Sequence, residues 1–209
     1  TESQSMDMFN YGDDDLFEGH DSDDGHEEMI RRLREQFGGD NDAAEDGQIP
    51  STDVLEEMVE ASLAEERYEE GLRITDYWLR FAPYSYMAWL RRGVVLIGLG
   101  RADEALSCFD RADALNPSDT EILINRGIAY DSLGLFDRAL ECYSRALERE
   151  PDNEEAFFNQ AIALERMERF TEAALMFEAL LGSGQFGRDS LYELGYCYDF
   201  LDRLDDSLS

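Results

Sequence analysis

The chain contains no lysine, and its 18 basic residues are all arginines. Against them stand 49 aspartates and glutamates, which give a formal net charge of -31. Such a charge repels phosphate backbones and anionic lipid surfaces, so we expect no nucleic-acid partner and no membrane binding. An acidic excess without lysine is also typical of proteins from salt-loving or GC-rich organisms, where it serves solubility, and the sequence leaves both interpretations open.

Cysteine and histidine are too few and too scattered for a metal centre. Cys108, Cys142 and Cys197 show neither a CxxC pair nor a Cys-to-His metal spacing, so we expect reduced, packed thiols. The two histidines, His20 and His26, lie in an acidic stretch that is more typical of solvated side chains than of ligands. We therefore expect no metal and no cofactor.

Motifs of catalysis and of targeting are also missing. The sequence has no glycine-rich phosphate loop, no GxSxG and no HExxH motif. It has no charged-then-apolar signal segment and no run of about 18 apolar residues. We expect a cytoplasmic protein that is not an enzyme and has no catalytic residues.

The first 50 residues differ in composition from the rest of the chain. They contain ten aspartates, six glutamates and three arginines, so they cannot bury enough apolar surface to offset their chain entropy. We predict that segment 1–50 is largely disordered, except for HEEMIRRLREQF at 26–37, which has the pattern of a short amphipathic helix. Such a helix is too short to persist alone, so we expect it to order only when docked. Its docking residues are Met29, Ile30, Arg31, Leu33, Arg34 and Phe37.

From about Ser51 onward the sequence repeats every 34 residues without an insertion. Pro83, Pro117 and Pro151 mark the period, and the last two end the related stretches CFDRADALNP and CYSRALEREP. A fixed period of this length is typical of stacked helix pairs, because one pair alone cannot bury its apolar face. The spacing predicts repeats at about 52–85, 86–119, 120–153 and 154–187, with a partial repeat at 188–209.

Set in register, the copies share columns of residue types that suit helix packing. In the first helix of each pair, a bulky residue is followed four positions later by a small one. Small residues let two antiparallel backbones approach closely, and bulky residues fill the space beside them. The bulky column is Leu55, Trp89, Leu123, Phe157 and Leu191, the small column is Val59, Gly93, Gly127, Ala161 and Gly195, and a small column of the second helices is Gly71, Ala105, Ala139, Ala173 and Ser207.

With these columns, residues 51–209 resemble the tetratricopeptide repeat (TPR) family. The resemblance implies an all-α fold, an α-solenoid in which about four and a half antiparallel helix pairs stack into a right-handed superhelix. The sequence ends with LDRLDDSLS, a few residues into a fifth second helix, so we expect either a longer repeat array or a last half-repeat that contacts something outside the chain. The third copy matches the family most fully, at Leu123, Gly127, Tyr130, Ala139, Tyr143, Ala146 and Pro151.

The resemblance also implies a concave groove lined by the first helices. Residues one and five positions after the bulky column point into it, and acidic residues form its edges. The expected apolar floor is Leu90, Val94, Ile124, Ile128, Phe158, Ile162, Tyr192 and Tyr196, and the expected acidic edges are Glu121, Asp131, Glu155, Glu165, Asp189 and Asp199. The alternative is that neighbouring helices cover these apolar residues.

The best-known ligand of such grooves is a chaperone's acidic C-terminal peptide, held by lysine and asparagine. Asn125 and Asn159 match an asparagine of that clamp, but the positions of its cations are occupied by residues such as Leu90, Val94, Ile124 and Glu155. We therefore expect the groove to bind a peptide or helix with an apolar stripe and basic flanks.

Two hypotheses of function follow. The chain is a protein-binding scaffold or adaptor, or it is a spacer or regulatory part of a larger protein whose activity lies elsewhere. Segment 26–37 is itself a candidate ligand of the repeats, in cis or across a homo-oligomer. The rival interpretation is that it binds only another protein.

Overall fold

The computed structural model describes residues 50–208, with side chains up to Asp202. The chain divides into two units, Thr1–Ile49 and Pro50–Ser209, and the described residues all belong to the second. The predictions for the acidic segment, the two histidines and the docking helix at 26–37 therefore lie outside the described residues.

Nine helices make up the part of the chain that the structure describes. Consecutive helices contact each other and form antiparallel pairs, which confirms the expected all-α, TPR-like solenoid. The first helices α1, α3, α5 and α7 also contact one another in succession. The helices are α1 (Thr52–Ala64), α2 (Tyr68–Phe81), α3 (Tyr86–Gly98), α4 (Ala102–Leu115), α5 (Thr120–Ser132), α6 (Phe136–Arg149), α7 (Glu154–Arg166), α8 (Phe170–Leu180) and α9 (Gly187–Leu208).

Each of the helices α1, α3, α5 and α7 begins at a polar capping residue. Ser51, Ser85, Asp119 and Asn153 stand 34 residues apart, and the side chain of each accepts a hydrogen bond from a backbone N–H in the first turn. These caps satisfy amide groups that have no partner within the helix. Each first helix therefore begins at the same point of its repeat.

A left-handed residue reverses the chain after each of these helices. Gly100 and Gly134 have φ of 72°, and the residues at the same place in the first and fourth repeats, Glu66 and Glu168, have φ of 55° and 60°. Glycine adopts this conformation without strain, whereas a side chain costs about 1–2 kcal/mol. Glutamate is held there because the helix that follows packs against the one before.

Aromatic rings fix the distance between the two helices of a pair. A Cβ atom added to Gly93 would lie 2.7 Å from Cζ of Phe109, and one added to Gly127 would lie 2.7 Å from Cζ of Tyr143. The rings thus occupy the space that any larger residue would need. Trp78 stands where α4 and α6 have Ala112 and Ala146, and it is still buried, with 2% of its surface exposed.

The expectation that a fifth second helix begins within the last residues of the sequence is wrong. The helix α9 has 22 residues and continues to Leu208, whereas the four first helices before it have 13 each. Asp202 holds the position of the left-handed turn residue, and no glycine nearby favours a reversal. Continuing the helix keeps its backbone hydrogen bonds, so Ser207 belongs to α9 and to no second helix.

Replacing a glycine by alanine is predicted to have opposite effects at Gly127 and Gly195. At Gly127 the new methyl group meets the buried ring of Tyr143, so we expect the free energy of unfolding to fall by roughly 1–3 kcal/mol. At Gly195, among the described residues and apart from the nearby backbone of α9 itself, no atom lies within 4 Å of the added Cβ, so the higher helix propensity of alanine should raise it by up to about 1 kcal/mol. Urea denaturation of the two variants measures both values, and equal shifts would contradict the packing described above.

Candidate functional site

Ion pairs around one arginine connect the helices α1, α3 and α5. The guanidinium of Arg91 in α3 lies 2.8 Å from Glu56 and 3.5 Å from Glu60 of α1, and 2.6 Å from Glu121 of α5. Only 15% of the Arg91 side chain is exposed. The single cation therefore balances part of the charge of three carboxylates and ties three repeats together on the face that the first helices share.

Two residues of the expected groove floor lie in the core. Leu90 is fully buried, and Ile124 is 3% exposed. Ile124 belongs to a cluster that includes Ala156 and Ala163 of α7, whose small side chains allow the neighbouring first helix to approach. The expectation of open side chains at these two positions is therefore wrong, and the alternative that neighbouring helices cover them holds here.

The other floor residues range from half-buried to open. Val94, Ile128 and Ile162 are half-buried. Phe158 is also half-buried, because its ring stacks on Phe186 at a centroid distance of 5.0 Å.

The open aromatic surface lies on α9, in the last of the predicted repeats. Tyr192 is 76% exposed and Tyr196 is 44% exposed. The ring of Tyr196 also lies 4.9 Å from that of Phe200, which holds it in place. The apolar part of the candidate groove that a partner can reach is thus concentrated at its C-terminal end.

Polar residues expected near the middle of the groove form ion pairs or hydrogen bonds within the chain. Asp131 pairs with Arg166, and burial raises the pKa of Asp131 even though that guanidinium opposes the shift. The Asn125 side-chain amide donates to the backbone carbonyl of Glu121 at 3.0 Å. Asn159 is half-buried.

Carboxyl groups accumulate toward the C-terminal end of the groove. Burial and the charge of Glu121 raise the pKa of Glu155. Burial, the charge of Glu193 and a hydrogen bond with Glu193 raise the pKa of Glu165 to about 7. Glu165 in α7, which faces Glu193 in α9, therefore keeps its proton to a higher pH than an ordinary glutamate. The Oε2 atom of Glu165 is buried and has no hydrogen-bond partner among the described residues.

The sequence analysis missed three members of this face, namely Arg91, Glu56 and Glu193. Arg91 and Glu193 lie two positions after the bulky column, in the same column as Asn125 and Asn159. Glu56 lies one position after Leu55, so it occupies the floor column of the first repeat. Extending the columns to that repeat and to one further position would have found all three.

The described residues contain little that suits other chemistry. Between residues 50 and 208 no group of three or more histidine, cysteine, aspartate or glutamate side chains is placed to hold a metal ion. Cys108, Cys142 and Cys197 are buried and unpaired, and burial raises the pKa of each thiol, for Cys197 to about 11. In the same range, no helix combines the length and the apolarity that crossing a bilayer requires.

Solved structures share this fold. A thermophilic TPR protein of Thermus thermophilus is similar with a TM-score of 0.65 at 20% identity, over 82% of this chain and 98% of that one. The first TPR domain of human RPAP3 gives 0.53 at 27% identity, over 56% and 91%. The first TPR of Spaghetti (RPAP3), bound to the HSP90 peptide SRMEEVD, gives 0.51 at 27% identity, over 55% and 91%.

Family models agree with the structural likeness. Models of the tetratricopeptide repeat match residues 86–129, 120–153 and 158–208, which together make up more than half of the chain. No curated protein matches the chain in sequence. The period, the helix pairs and these matches agree, and the chain belongs to the tetratricopeptide repeat family.

Proposed function

We propose that this chain is a non-catalytic scaffold that binds a peptide or helix with basic and apolar side chains at the C-terminal end of its groove. The observation that carries the proposal is the interaction of Glu165 with Glu193, a residue of the helix that also carries the exposed rings of Tyr192 and Tyr196. In this proposal the repeats at 51–209 are the binding domain, and segment 1–50 is a separate acidic segment of a cytoplasmic protein.

A cationic side chain of a partner would compensate the negative charge of the two carboxyl groups. Two carboxylates that share a half-buried place cannot both ionise without cost, so one keeps its proton. An arginine or lysine of the partner would replace that proton, because it pairs with both negative charges through charge-assisted hydrogen bonds.

The tyrosines supply the apolar half of the interaction. Tyr192 and Tyr196 are one turn apart on α9, so their rings lie on one side of the helix, with Glu193 next to them in sequence. Aromatic faces bury apolar side chains, and they also attract the cations that the carboxyl pair binds. A partner helix with alternating leucines and arginines would therefore contact both features at once.

An acidic peptide does not suit this face. The related Spaghetti domain was solved with the peptide SRMEEVD, which carries a negative charge. In this chain Arg91 is already engaged by three carboxylates, and Glu155, Glu165 and Glu193 add negative charge farther along. The resulting repulsion disfavours an anionic ligand.

Removing both charges of the pair is predicted to weaken binding of a basic peptide. The probe is a labelled twelve-residue synthetic helix with leucines on one face and arginines beside them, titrated by fluorescence anisotropy against the full chain. For the Glu165→Gln, Glu193→Gln variant we expect Kd to rise about tenfold, which corresponds to about 1.4 kcal/mol. Labelled SRMEEVD should not bind either protein.

The matched control removes two charges from the second helix α6, at the exposed residues Glu141 and Glu148. The Glu141→Gln, Glu148→Gln variant removes two carboxyl groups as the groove variant does and has the same formal net charge, so it reports the general loss of attraction. We expect its Kd to stay within about twofold of the wild type. Equal weakening by the two variants, or tight binding of SRMEEVD, would show that the groove is not the site.

The raised pKa of Glu165 also predicts a dependence of stability on pH. The ordinary pKa is 4.5 and the folded-state pKa is about 7, so the folded chain holds a proton that the unfolded chain releases. Stability must therefore fall as pH rises through this window. Glutamine at position 165 has no charge to bury, so Tm at pH 8 should rise by roughly 2–4 °C, or about 1 kcal/mol, relative to the wild type. At pH 4 the two proteins should nearly coincide, and a constant difference from pH 4 to pH 8 would contradict the assignment.

A further inference from the structure

A cleft between the second helices α6 and α8 differs from the corresponding places in the preceding repeats. It has a volume of about 490 Å³ and lies between second helices, whereas the groove is lined by the first helices. Gln160 and Leu164 of α7 form its floor. The residues along its walls are Leu140 and Ser144 of α6, Arg169 just before α8, and Glu172, Leu175 and Met176 of α8.

Arginines of the chain occupy the corresponding place in the two preceding repeats. The residues that match Gln160 are Arg92 and Arg126, whose side chains are only 14% and 12% exposed. Arg92 of α3 pairs with Asp76 of α2 at 2.9 Å and donates to the Sγ atom of Cys108 in α4 at 3.4 Å, so it bridges two second helices. A long, unbranched side chain therefore fits between neighbouring second helices of this solenoid.

The cleft between α6 and α8 lacks the ion pairs that hold such an arginine. Arg126 pairs with Asp110 at 3.0 Å and with Asp113 at 3.5 Å. Glutamine 34 residues later is shorter and donates one hydrogen bond of 2.9 Å, to a serine hydroxyl group. Neither aspartate position offers a carboxylate to a cation in this cleft, because the residues at these two positions of α6 are Ser144 and Leu147.

The wall of the cleft on α8 is apolar where the other second helices are polar. Leu175 is 63% exposed, and Met176 beside it is half-buried. Exposed apolar side chains that adjoin one cleft are typical of an interaction site. The residues in the column of Leu175 are Arg73, Ser107 and Glu141.

The charges that line the cleft compensate each other. Arg169 and Glu172 are its only charged lining residues in the described chain, and their side chains form two hydrogen bonds of 2.7 Å. A charged ligand would have to break this pair or remain unpaired, so an uncharged side chain suits the cleft better. A second copy of the chain is disfavoured as the ligand, because each copy carries a net charge of -31.

We propose that the cleft between α6 and α8 binds a helix of another protein through uncharged, unbranched side chains, of which methionine fits best. One methionine of that helix enters the place that Arg92 and Arg126 occupy in the earlier repeats, and its neighbours pack on Leu175 and Met176. Methionine is long, flexible and uncharged, so it fills an irregular apolar cleft without needing a counter-charge. A helix suits the cleft because side chains one turn apart enter the space between two packed helices.

The test uses a labelled, uncharged synthetic helix of alanine and glutamine with methionine at every fourth position, which places the methionines on neighbouring turns. Fluorescence anisotropy with the full chain should give a Kd below about 1 mM. The Ser144→Asp, Gln160→Arg variant builds the ion pair of the earlier repeats into the cleft and leaves the net charge unchanged. We expect this variant to stay folded and to lose at least about tenfold in affinity.

A single substitution and its matched control test the same cleft. Leu175→Ser changes an exposed position, so it should stay folded and weaken binding of the synthetic helix several-fold. The control is Leu115→Ser, at a leucine of α4 that is 41% exposed and does not line the cleft, and it should bind like the wild type. Circular dichroism and urea denaturation check that each variant is folded.

The two sites are tested separately. The Glu165→Gln, Glu193→Gln variant should bind the uncharged helix like the wild type, because its substitutions lie in the groove. Binding that neither cleft variant weakens, or no binding up to about 1 mM, would overturn the proposal and leave the proposed function of the groove untouched.

Other occupants give other results. A concentration-dependent dimer of the wild type that Leu175→Ser abolishes, measured by sedimentation velocity, would assign the cleft to a second copy of the chain. Displacement of the synthetic helix by a peptide of residues 1–49 would assign it to the chain's own N-terminal segment. Either result would contradict the assignment to another protein.

Discussion

The close approach of the two helices within each pair is the constraint on which the rest of this structure depends. In α3 and α5 it rests on an aromatic ring placed where a glycine's Cβ would be, Phe109 over Gly93 and Tyr143 over Gly127. A buried ring in that place allows little change of distance or register, since protein interiors are close-packed. Each pair is therefore a similar rigid unit, and similar units that begin at equivalent caps stack with their first helices side by side.

That stacking decides which side chains are left for recognition. The first helices contact one another, so Leu90 and Ile124 are buried in the core, although their sequence pattern predicts exposed residues on the floor of the groove. Charged groups remain on the shared face, and they are unevenly distributed. Carboxylates near the N-terminal end are paired with Arg91, whereas near the C-terminal end Glu193 and burial raise the pKa of Glu165 despite the opposing charge of Arg166.

The last helix of the described chain shows that the burial of a column residue depends on the helices around it. Leu191 and Gly195 belong to the same columns as Leu123 and Gly127, and those two residues are buried in their own pair. Without a helix over it, the same pattern becomes a surface. On α9 the side of Leu191 and Gly195 is therefore exposed, as are Tyr192 and Tyr196.

The sequence by itself determined the repeat, the helix pairs and the packing roles of the glycine and aromatic columns, because these depend on contacts that recur within every copy. It also predicted Glu165, Tyr192 and Tyr196 as groove residues, but it missed Arg91 and Glu193 and wrongly left Leu90 and Ile124 open. It placed a turn near Asp202 that the structure does not have, because such a turn is stabilised only when a following helix packs. Only the tertiary structure decided which column residues are exposed and which charges are paired, since both depend on side chains from neighbouring repeats.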